Sequence, residues 1–430
     1  MQKTMIARLV PMALMILGSG AASAAGFQLL EQNASGIGNA YAGSAAVADN
    51  ASTIFFNPAG MTQLQAREVS MGLSAVRPSF KFKDKGSQSG ALAGNGDDAG
   101  DWAAIPNTYL SWALNKDLYV GVGLSGPFGL VTDYGEPWVG GAQAIKFDIK
   151  TLNVNPSLAW RMSDKVSLGV GLNWQRMEAK YDRVVAVSNF GPFPLAASQA
   201  ELDVQGDAWG WNVGALFTLS PSTKVGMSYR SKVDHKLEGD VKVAGPSAAL
   251  NAGGTSDADV DVELPDTFIV SVAQQLDDRW EMLGDLSWTG WSSIQKVEIE
   301  RTSGAQSGQI AQTLHTEFRD TWRIALGANY KLNDAWKLKF GIAYDQTPVK
   351  DKERRLVSLP DNDRTWLTFG GQWKLSKTNT LDLGAAYLHV PKTKIDNDQS
   401  TANPLTNRGR VTGEYTSSVW ILGAQYSMAF

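Results

Sequence analysis

Three histidines, His235, His315 and His389, and no cysteine leave this 430-residue chain few side chains for covalent or metal chemistry. Nucleophilic catalysis needs a Ser, Cys or Thr activated by a neighbouring base. No G-x-S-x-G turn is present, and no Ser, His and acid set gathers at one point of the chain. Neither a metal-ligand cluster nor a cofactor motif stands out. The chain therefore reads as a non-enzyme without metal or cofactor. What it does carry is a scatter of single charges, Arg161, Arg230, Lys232, Asp285, Arg323, Lys337 and Lys339, set among small and apolar residues. Charges so placed either brace a wall by pairing with one another or meet the charge of a ligand.

The elements that hold them begin with an address. Lys3 and Arg8, the apolar run Leu9 to Leu17 and the small residues Ala22-Ser23-Ala24 read as a signal peptide over 1–24. The run is shorter than the roughly 20 residues of a membrane-spanning helix. Export suits the missing cysteines, because free thiols are a liability in an oxidising space. The formal charge of −4 becomes more negative once Lys3 and Arg8 are removed, which argues against a nucleic-acid partner. Mean hydropathy is −0.19, and no later stretch is apolar for long enough to span as a helix. Yet 15 Trp, 15 Phe and 11 Tyr accompany 43 Gly. Such a mixture suits a wall in which only alternate residues face lipid.

From residue 66 onward that alternation is explicit. Val166, Leu168, Val170, Leu172 and Trp174 oppose Ser167, Gly169, Gly171 and Asn173; Trp322, Ile324, Leu326, Ala328 and Tyr330 oppose Arg323, Ala325, Gly327 and Asn329. The pattern predicts fourteen strands near 66–82, 104–115, 117–126, 145–162, 165–183, 201–219, 223–239, 259–276, 279–299, 315–332, 335–346, 364–375, 379–390 and 410–430. Short Asn-, Asp- and Ser-rich turns alternate with long loops, including 184–200, 240–258, 300–314 and 391–409. The opposed face is rich in Gly, Ser, Ala and Asn rather than fully charged, as a crowded lumen requires, and Arg161, Arg230, Lys232, Asp285, Arg323, Lys337 and Lys339 are expected on it. The expected fold is all-β: a 14-stranded antiparallel transmembrane barrel over 66–430. The last residues, Tyr426-Ser427-Met428-Ala429-Phe430, resemble the C-terminal signature read by the barrel-assembly machinery. Outer-membrane lipid and lipopolysaccharide are the expected surroundings, in a Gram-negative bacterium.

Residues 25–65 do not alternate. They are nearly uncharged and carry Phe27, Leu29, Leu30, Tyr41, Phe55 and Phe56, unlike a disordered tail. A fourteen-stranded barrel is too wide for side chains alone to fill, so this segment is expected to plug the lumen as a hatch. Its motifs are specific in order and spacing: Gly26-Phe27-Gln28-Leu29, Ser35-Gly36-Ile37-Gly38-Asn39-Ala40-Tyr41-Ala42-Gly43, Ala48-Asp49-Asn50-Ala51 and Asn57-Pro58-Ala59. With Tyr229-Arg230-Ser231-Lys232-Val233, Leu264-Pro265-Asp266 and Pro360-Asp361-Asn362-Asp363-Arg364-Thr365-Trp366, the chain resembles the long-chain fatty acid transporter family (FadL) along its whole length.

The resemblance implies passive uptake of long-chain fatty acids or similar hydrophobic molecules. The ligand is caught among the loops, passes an apolar pocket near the hatch, and leaves sideways where the third strand kinks. A side exit is also what physics favours, since each buried methylene contributes ~0.8 kcal/mol that release into water would forfeit. Gly126, Pro127 and Phe128 are the expected exit. The resemblance places Gly214 across the lumen from it, and Asn57, Pro58 and Ala59 within the hatch. It also places the acid head group at Arg183, in Ala179-Lys180-Tyr181-Asp182-Arg183. A second cation of the family falls here on Leu314, next to His315, so a two-pronged carboxylate clamp is not expected and a less charged ligand gains ground. Phe27, Arg230 and Arg323 are further candidate contacts. Phe190, Phe193 and Leu195 in one loop and Leu250 in the next suggest a capture groove. The alternatives are a hydrocarbon or aromatic-compound channel of the same fold, a barrel serving for adhesion or phage attachment, and, more distantly, a lipolytic enzyme.

Overall fold

The computed structural model describes residues 26–430, the side chains of Phe190 and Phe193 excepted; the expected signal segment lies outside the described residues. Fourteen antiparallel wall strands run in order: β1 (Arg67–Asp84), β2 (Ala103–Ala113), β3 (Leu118–Ser125, resuming as Gly129–Asp133), β4 (Lys146–Arg161), β5 (Val166–Val184), β6 (Gln199–Ser220), β7 (Thr223–Arg230 and Val233–Ala244), β8 (Ser256–Leu264 and Thr267–Gln275), β9 (Trp280–Thr289 and Lys296–Arg301), β10 (Ile310–His315 and Thr321–Lys331), β11 (Trp336–Asp345), β12 (Arg364–Lys374), β13 (Asn379–His389 and Thr393–Asp398) and β14 (Arg410–Ala429). Each pairs with the next, and β14 returns to β1 with Ala429 opposite Glu68. The sheet is a closed barrel. Closure through β14 and β1 leaves no free outer strand, as a bilayer demands.

Burial inverts the rule for soluble sheets. On β5, Leu168, Val170 and Leu172 are 36%, 50% and 57% exposed, while the intervening Ser167, Gly169, Gly171 and Asn173 are buried. The apolar face meets lipid and the small polar face meets the lumen. Two expectations needed correction. The loops expected at 240–258 and 300–314 are shorter, because pairing runs on to Ala244, Ser256, Arg301 and Ile310. There the outward residues are charged, as with exposed Asp257, Asp259 and Asp261, so apolar alternation stops before the ladder does. Lys232, expected in the lumen, points outward to Glu263 at 2.6 Å. The pause between the two segments of β7 flips the parity: Gly226 and Ser228 face inward before it, Val233 and His235 after it.

The N-terminal segment lies inside the barrel. It is built of short turns, with a 3-10 turn at Ile37–Asn39, one helical turn α1 (Thr53–Phe56) and a second 3-10 turn at Pro58–Gln63. Asn57 accepts from the Ala59 amide at 3.1 Å and donates through Nδ2 to the carbonyls of Ala45 at 2.7 Å and Ala215 on β6 at 2.9 Å. Short turns leave carbonyls without helical partners, and the lumen cations fill that role. Arg323 Nη2 donates to Ala40 O at 2.6 Å, Arg230 Nη2 to Phe55 O at 2.9 Å and Lys339 Nζ to Ser35 O at 2.9 Å; Arg161 binds Thr62 O. Asp285 receives the Ser44 hydroxyl at 2.8 Å, and Lys337 pairs with Asp49 at 3.3 Å. The expected wall braces are thus mainly hatch fasteners. Lys339 also pairs with Asp382 of the wall at 2.8 Å.

This seating can be tested at two residues. A Cβ at Gly226 would overlap the carbonyl oxygen of Ala45, which is backbone and cannot swing aside. Gly226→Val should therefore assemble as a heat-modifiable barrel but admit small hydrophilic antibiotics several-fold faster than the parent; unchanged permeability would show that the hatch tolerates the displacement. The second residue is Glu31, whose carboxyl is buried in the hatch and pushed by desolvation from 4.5 up to about 7, against the attraction of Arg364 and Arg323. The seated hatch then holds a proton that a solvated one has lost, so seating weakens as pH rises from about 4.5 to about 7. Glu31→Gln should flatten that dependence in planar-bilayer conductance; an unchanged pH profile would exclude Glu31 as its source.

Candidate functional site

Inward alternation along β5 sets Met177, Ala179, Tyr181 and Arg183 in one column, all buried. β10 presents Leu314 and, one inward step above it, Gln312. Below the polar pair of Arg183 and Gln312, the column borders a cavity lined almost wholly by apolar groups, among them Phe27, Met177, Leu314, Phe318 and Leu359. Arg183 Nε donates to Gln312 Oε1 at 2.6 Å, and its Nη1 donates to the carbonyls of Val184 at 3.0 Å and Val185 at 2.8 Å. Gln312 Nε2 in turn donates to the Tyr181 hydroxyl at 3.1 Å, and that hydroxyl donates to the Gln143 carbonyl. A cation fixed by its neighbours above an oily cavity can receive the head of an amphiphile while the cavity takes the tail.

Beneath lies a second cavity, whose lining includes Phe55, Phe128, Arg230, Trp291 and Arg323. Four aromatic rings separate the two. Phe27 packs on Trp291 at 5.0 Å and on Phe128 at 5.9 Å, and Trp291 lies 6.3 Å from Phe128 and 5.9 Å from Phe318. Trp291 and Phe318 reach this position because β9 and β10 both break here, β9 through a 3-10 turn at Trp291–Ser293.

The lower cavity reaches Pro127 and Phe128, where β3 is interrupted. β2 pairs with β3 over Thr108–Ala113, but its Ala103–Asn107 half pairs with β1 alone. Beyond the break, Gly129–Asp133 stays on β4, so β3 has left β2 and the wall ladder is broken between them. The backbone at the break is paired inward instead. Leu29 N donates to Pro127 O at 2.8 Å, Gly129 N to Phe27 O at 2.8 Å and Gln32 Nε2 to Gly126 O at 2.8 Å. Pro127 has no N–H to lose.

Of the expected contacts, Phe27 and Leu314 line the upper cavity, Arg183 stands one inward step along β5 from its Tyr181 without lining it, and Arg230 and Arg323 line the lower cavity, where both are also tied to the hatch. Leu195 is fully buried and Leu250 half-buried on the short helix α2 (Ala248–Gly254), neither lining the two cavities. The two loops instead close on each other where Ser198 packs against Gly245. The side chains of Phe190 and Phe193 lie outside the described residues. Gly214 faces the hatch: a Cβ there would overlap Asn57 Oδ1 and approach Pro58. Sequence reasoning missed Gln312, Trp291 and Phe318. The available signal was Thr289-Gly290-Trp291-Ser292-Ser293, which interrupts the alternation inside a segment read as one strand.

This architecture recurs in known proteins. Residues 15–430 match the family described as "Outer membrane protein transport protein (OMPP1/FadL/TodX)". The chain is 29% identical over 462 residues to the long-chain fatty acid transport protein of Escherichia coli O157:H7, covering 100% of both chains. It is 33% identical over 402 residues to the 47 kDa outer membrane protein of Pasteurella multocida Pm70, covering 87% of this chain and 89% of that one. In fold it is similar to a Pseudomonas aeruginosa FadL homologue, with a TM-score of 0.83 at 23% identity over 94% of this chain and 99% of the other. The toluene transporter TbuX of Ralstonia pickettii gives a TM-score of 0.67 at 18% identity, over 92% and 98% of the two chains. A closed fourteen-stranded wall, a lumen filled by the N-terminal segment and a full-length family match make one conclusion: the chain belongs to the outer membrane protein transport family (OMPP1/FadL/TodX), non-enzymatic outer-membrane transporters of hydrophobic compounds in Gram-negative bacteria.

Proposed function

We propose that this transporter takes up long-chain fatty acids or similar amphiphiles by passive, hatch-gated lateral diffusion. The observation that carries the reading is the column on β5, in which Met177, Ala179 and Tyr181 line an apolar cavity and the next inward residue is the buried cation Arg183. A carboxylate held at Arg183 lets the chain lie against Met177, Leu314 and Phe318, while the aromatic partition of Phe27, Phe128 and Trp291 bars the way down. Movement of Phe27 joins the two cavities, and the lower one leads to the break at Gly126, Pro127 and Phe128. Passage from there into the bilayer keeps the chain in apolar surroundings, whereas release into water would cost ~0.8 kcal/mol per methylene. Asn57, Pro58 and Ala59 hold the floor shut, with Gly214 as their seat on β6. The 29% identity to a protein named for long-chain fatty acid transport supports the same ligand class.

A second reading, uptake of an uncharged hydrocarbon, has Leu314 in its favour: the upper cavity is lined by leucine where the family resemblance had suggested a cation. Arg183 separates the two. A charge-assisted contact in a dry site contributes ~1.5–3 kcal/mol. Arg183→Ala should therefore weaken palmitate binding ~10-fold or more and leave hexadecane binding unchanged. Equal loss for both ligands would make Arg183 structural and favour the hydrocarbon. The exit has its own test. Gly126→Val with Pro127→Thr restores a strand-forming residue and an N–H at the break, so β3 can follow β2. Cells carrying correctly assembled variant should bind oleate but fail to accumulate it; uptake at the parent rate would sink the lateral route.

A further inference from the structure

Three arginines converge above the upper cavity without counter-charges. Arg183, Arg301 and Arg408 come from β5, from β9 and from the loop preceding β14, and among the described residues none has a carboxylate within 4.0 Å. Arg301 is tied to the Ser256 hydroxyl at 3.0 Å and to the Gly254 carbonyl. The other two grip one point of β10 from two sides. Arg183 Nε donates to the Gln312 side chain at 2.6 Å, and Arg408 Nη2 donates to the carbonyl of the preceding residue, Ala311, at 3.0 Å. The loop that carries Arg408 is itself anchored here. Val187 N donates to Asn407 O at 2.9 Å, Asn407 Nδ2 donates to Ser188 Oγ at 2.9 Å, and Gln143 Nε2 donates to Gly409 O at 3.2 Å. Gln143 is also the residue whose carbonyl holds the Tyr181 hydroxyl.

Both guanidiniums keep donors in hand. Arg183 Nη2 makes no hydrogen bond among the described residues, and Arg408 Nε is a buried donor with no partner. Burying one unpaired charge is costly, and setting a second beside it adds repulsion. An anion bound between them removes both penalties at once, and two planar forks held on neighbouring residues of β10, each with a donor to spare, suit a carboxylate.

We propose that Arg408 is the second cation of the carboxylate site, supplied by the loop before β14 in place of the position that Leu314 leaves apolar. The assignment rests on the fatty-acid reading and deepens it: the ligand's acid group sits between Arg183 and Arg408, beside Gln312, with its chain running down past Tyr181 and Leu314. Arg408 is thereby a specificity-determining residue, and it selects acids over esters and hydrocarbons of equal length.

The measurement is the ratio of palmitate to methyl palmitate affinity for the purified full-length barrel in detergent. The parent should prefer the acid ~10-fold or more. Arg408→Gln, which keeps a donor for Ala311 O but no charge, should lose most of that preference while its ester affinity stays within about twofold. Arg408→Gln with Leu314→Lys should regain it, because a cation returns to the same head group from the other side. A preference that survives Arg408→Gln but vanishes in Arg183→Ala would overturn the second cation and leave the fatty-acid reading standing. A parent without acid preference would overturn both. A readout on the unmodified protein guards against a variant that fails to assemble. Palmitate, and not its methyl ester, should shield Arg408 from phenylglyoxal as mapped by mass spectrometry; equal labelling with and without palmitate would overturn the assignment.

Discussion

Every backbone N–H and C=O that faces hydrocarbon must have a partner, and the rest of this molecule is arranged around that demand. It forces the sheet to close on itself through β14 and β1. It also restricts where the wall can open. At Gly126–Phe128 the ladder from β2 to β3 stops, and groups released on β3 are taken by the chain's own N-terminal segment through Phe27, Leu29 and Gln32. Proline at 127 removes one donor before it needs a partner. The opening and the plug are therefore one structural element seen from two sides, and neither can be understood without the other.

The same accounting extends into the lumen. A plug made of short turns presents carbonyls that neither helix nor sheet satisfies, and a wide barrel presents wall positions with room for long side chains. Arg230, Arg323 and Lys339 join the two by reaching across to hatch carbonyls. A cation meeting a carbonyl binds firmly without needing a buried carboxylate opposite, so the hatch can remain nearly uncharged, as its sequence is. Such contacts are individually modest, at ~1.5–3 kcal/mol each for a charged partner. Spread over a segment of short turns, they let one part of the plug shift while the rest stays seated. Phe27 and Leu29 lie at the end of that segment, beside the break.

Alternation made the wall legible from residues alone, because lipid on one side and a crowded lumen on the other impose a period of two over long stretches. It failed where a strand pauses. A two-residue interruption in β7 turned Lys232 from inward to outward, and the turn at Trp291 took that ring out of an expected continuous strand and into the partition. It failed again above the bilayer, where outward residues become charged and pairing persists without apolar rhythm. Arg183 was legible through a motif, and Leu314 through the departure from one. Gln312 and Arg408 were not. Gln312 sits in a segment assigned to a loop, and Arg408 lies in a stretch of Thr, Asn, Pro and Gly without period. Only the folded chain brings residue 408 against residue 311.

The arginines gathered in that way bear on what the cavity selects. An uncharged hydrocarbon would be served by the apolar lining alone, and leucine or phenylalanine could fill the roof at no electrostatic cost. The roof instead sets the half-buried Arg408 beside the buried Arg183 with no carboxylate among the described residues to pair either, which costs desolvation and repulsion. Retaining it makes physical sense where a negative charge arrives with the ligand. The lining runs from Tyr181 to Phe27, and on the proposed reading the acyl chain lies along it. Below it the partition is aromatic and uncharged, so it can yield to a methylene chain while an ionised head would be held back. On the proposed fatty-acid reading, the acid group sheds its charge or is drawn last through the partition, after the tail has reached the break in the wall. That reading derives the ligand's orientation, head held above and tail leading, from the order of residues along β5.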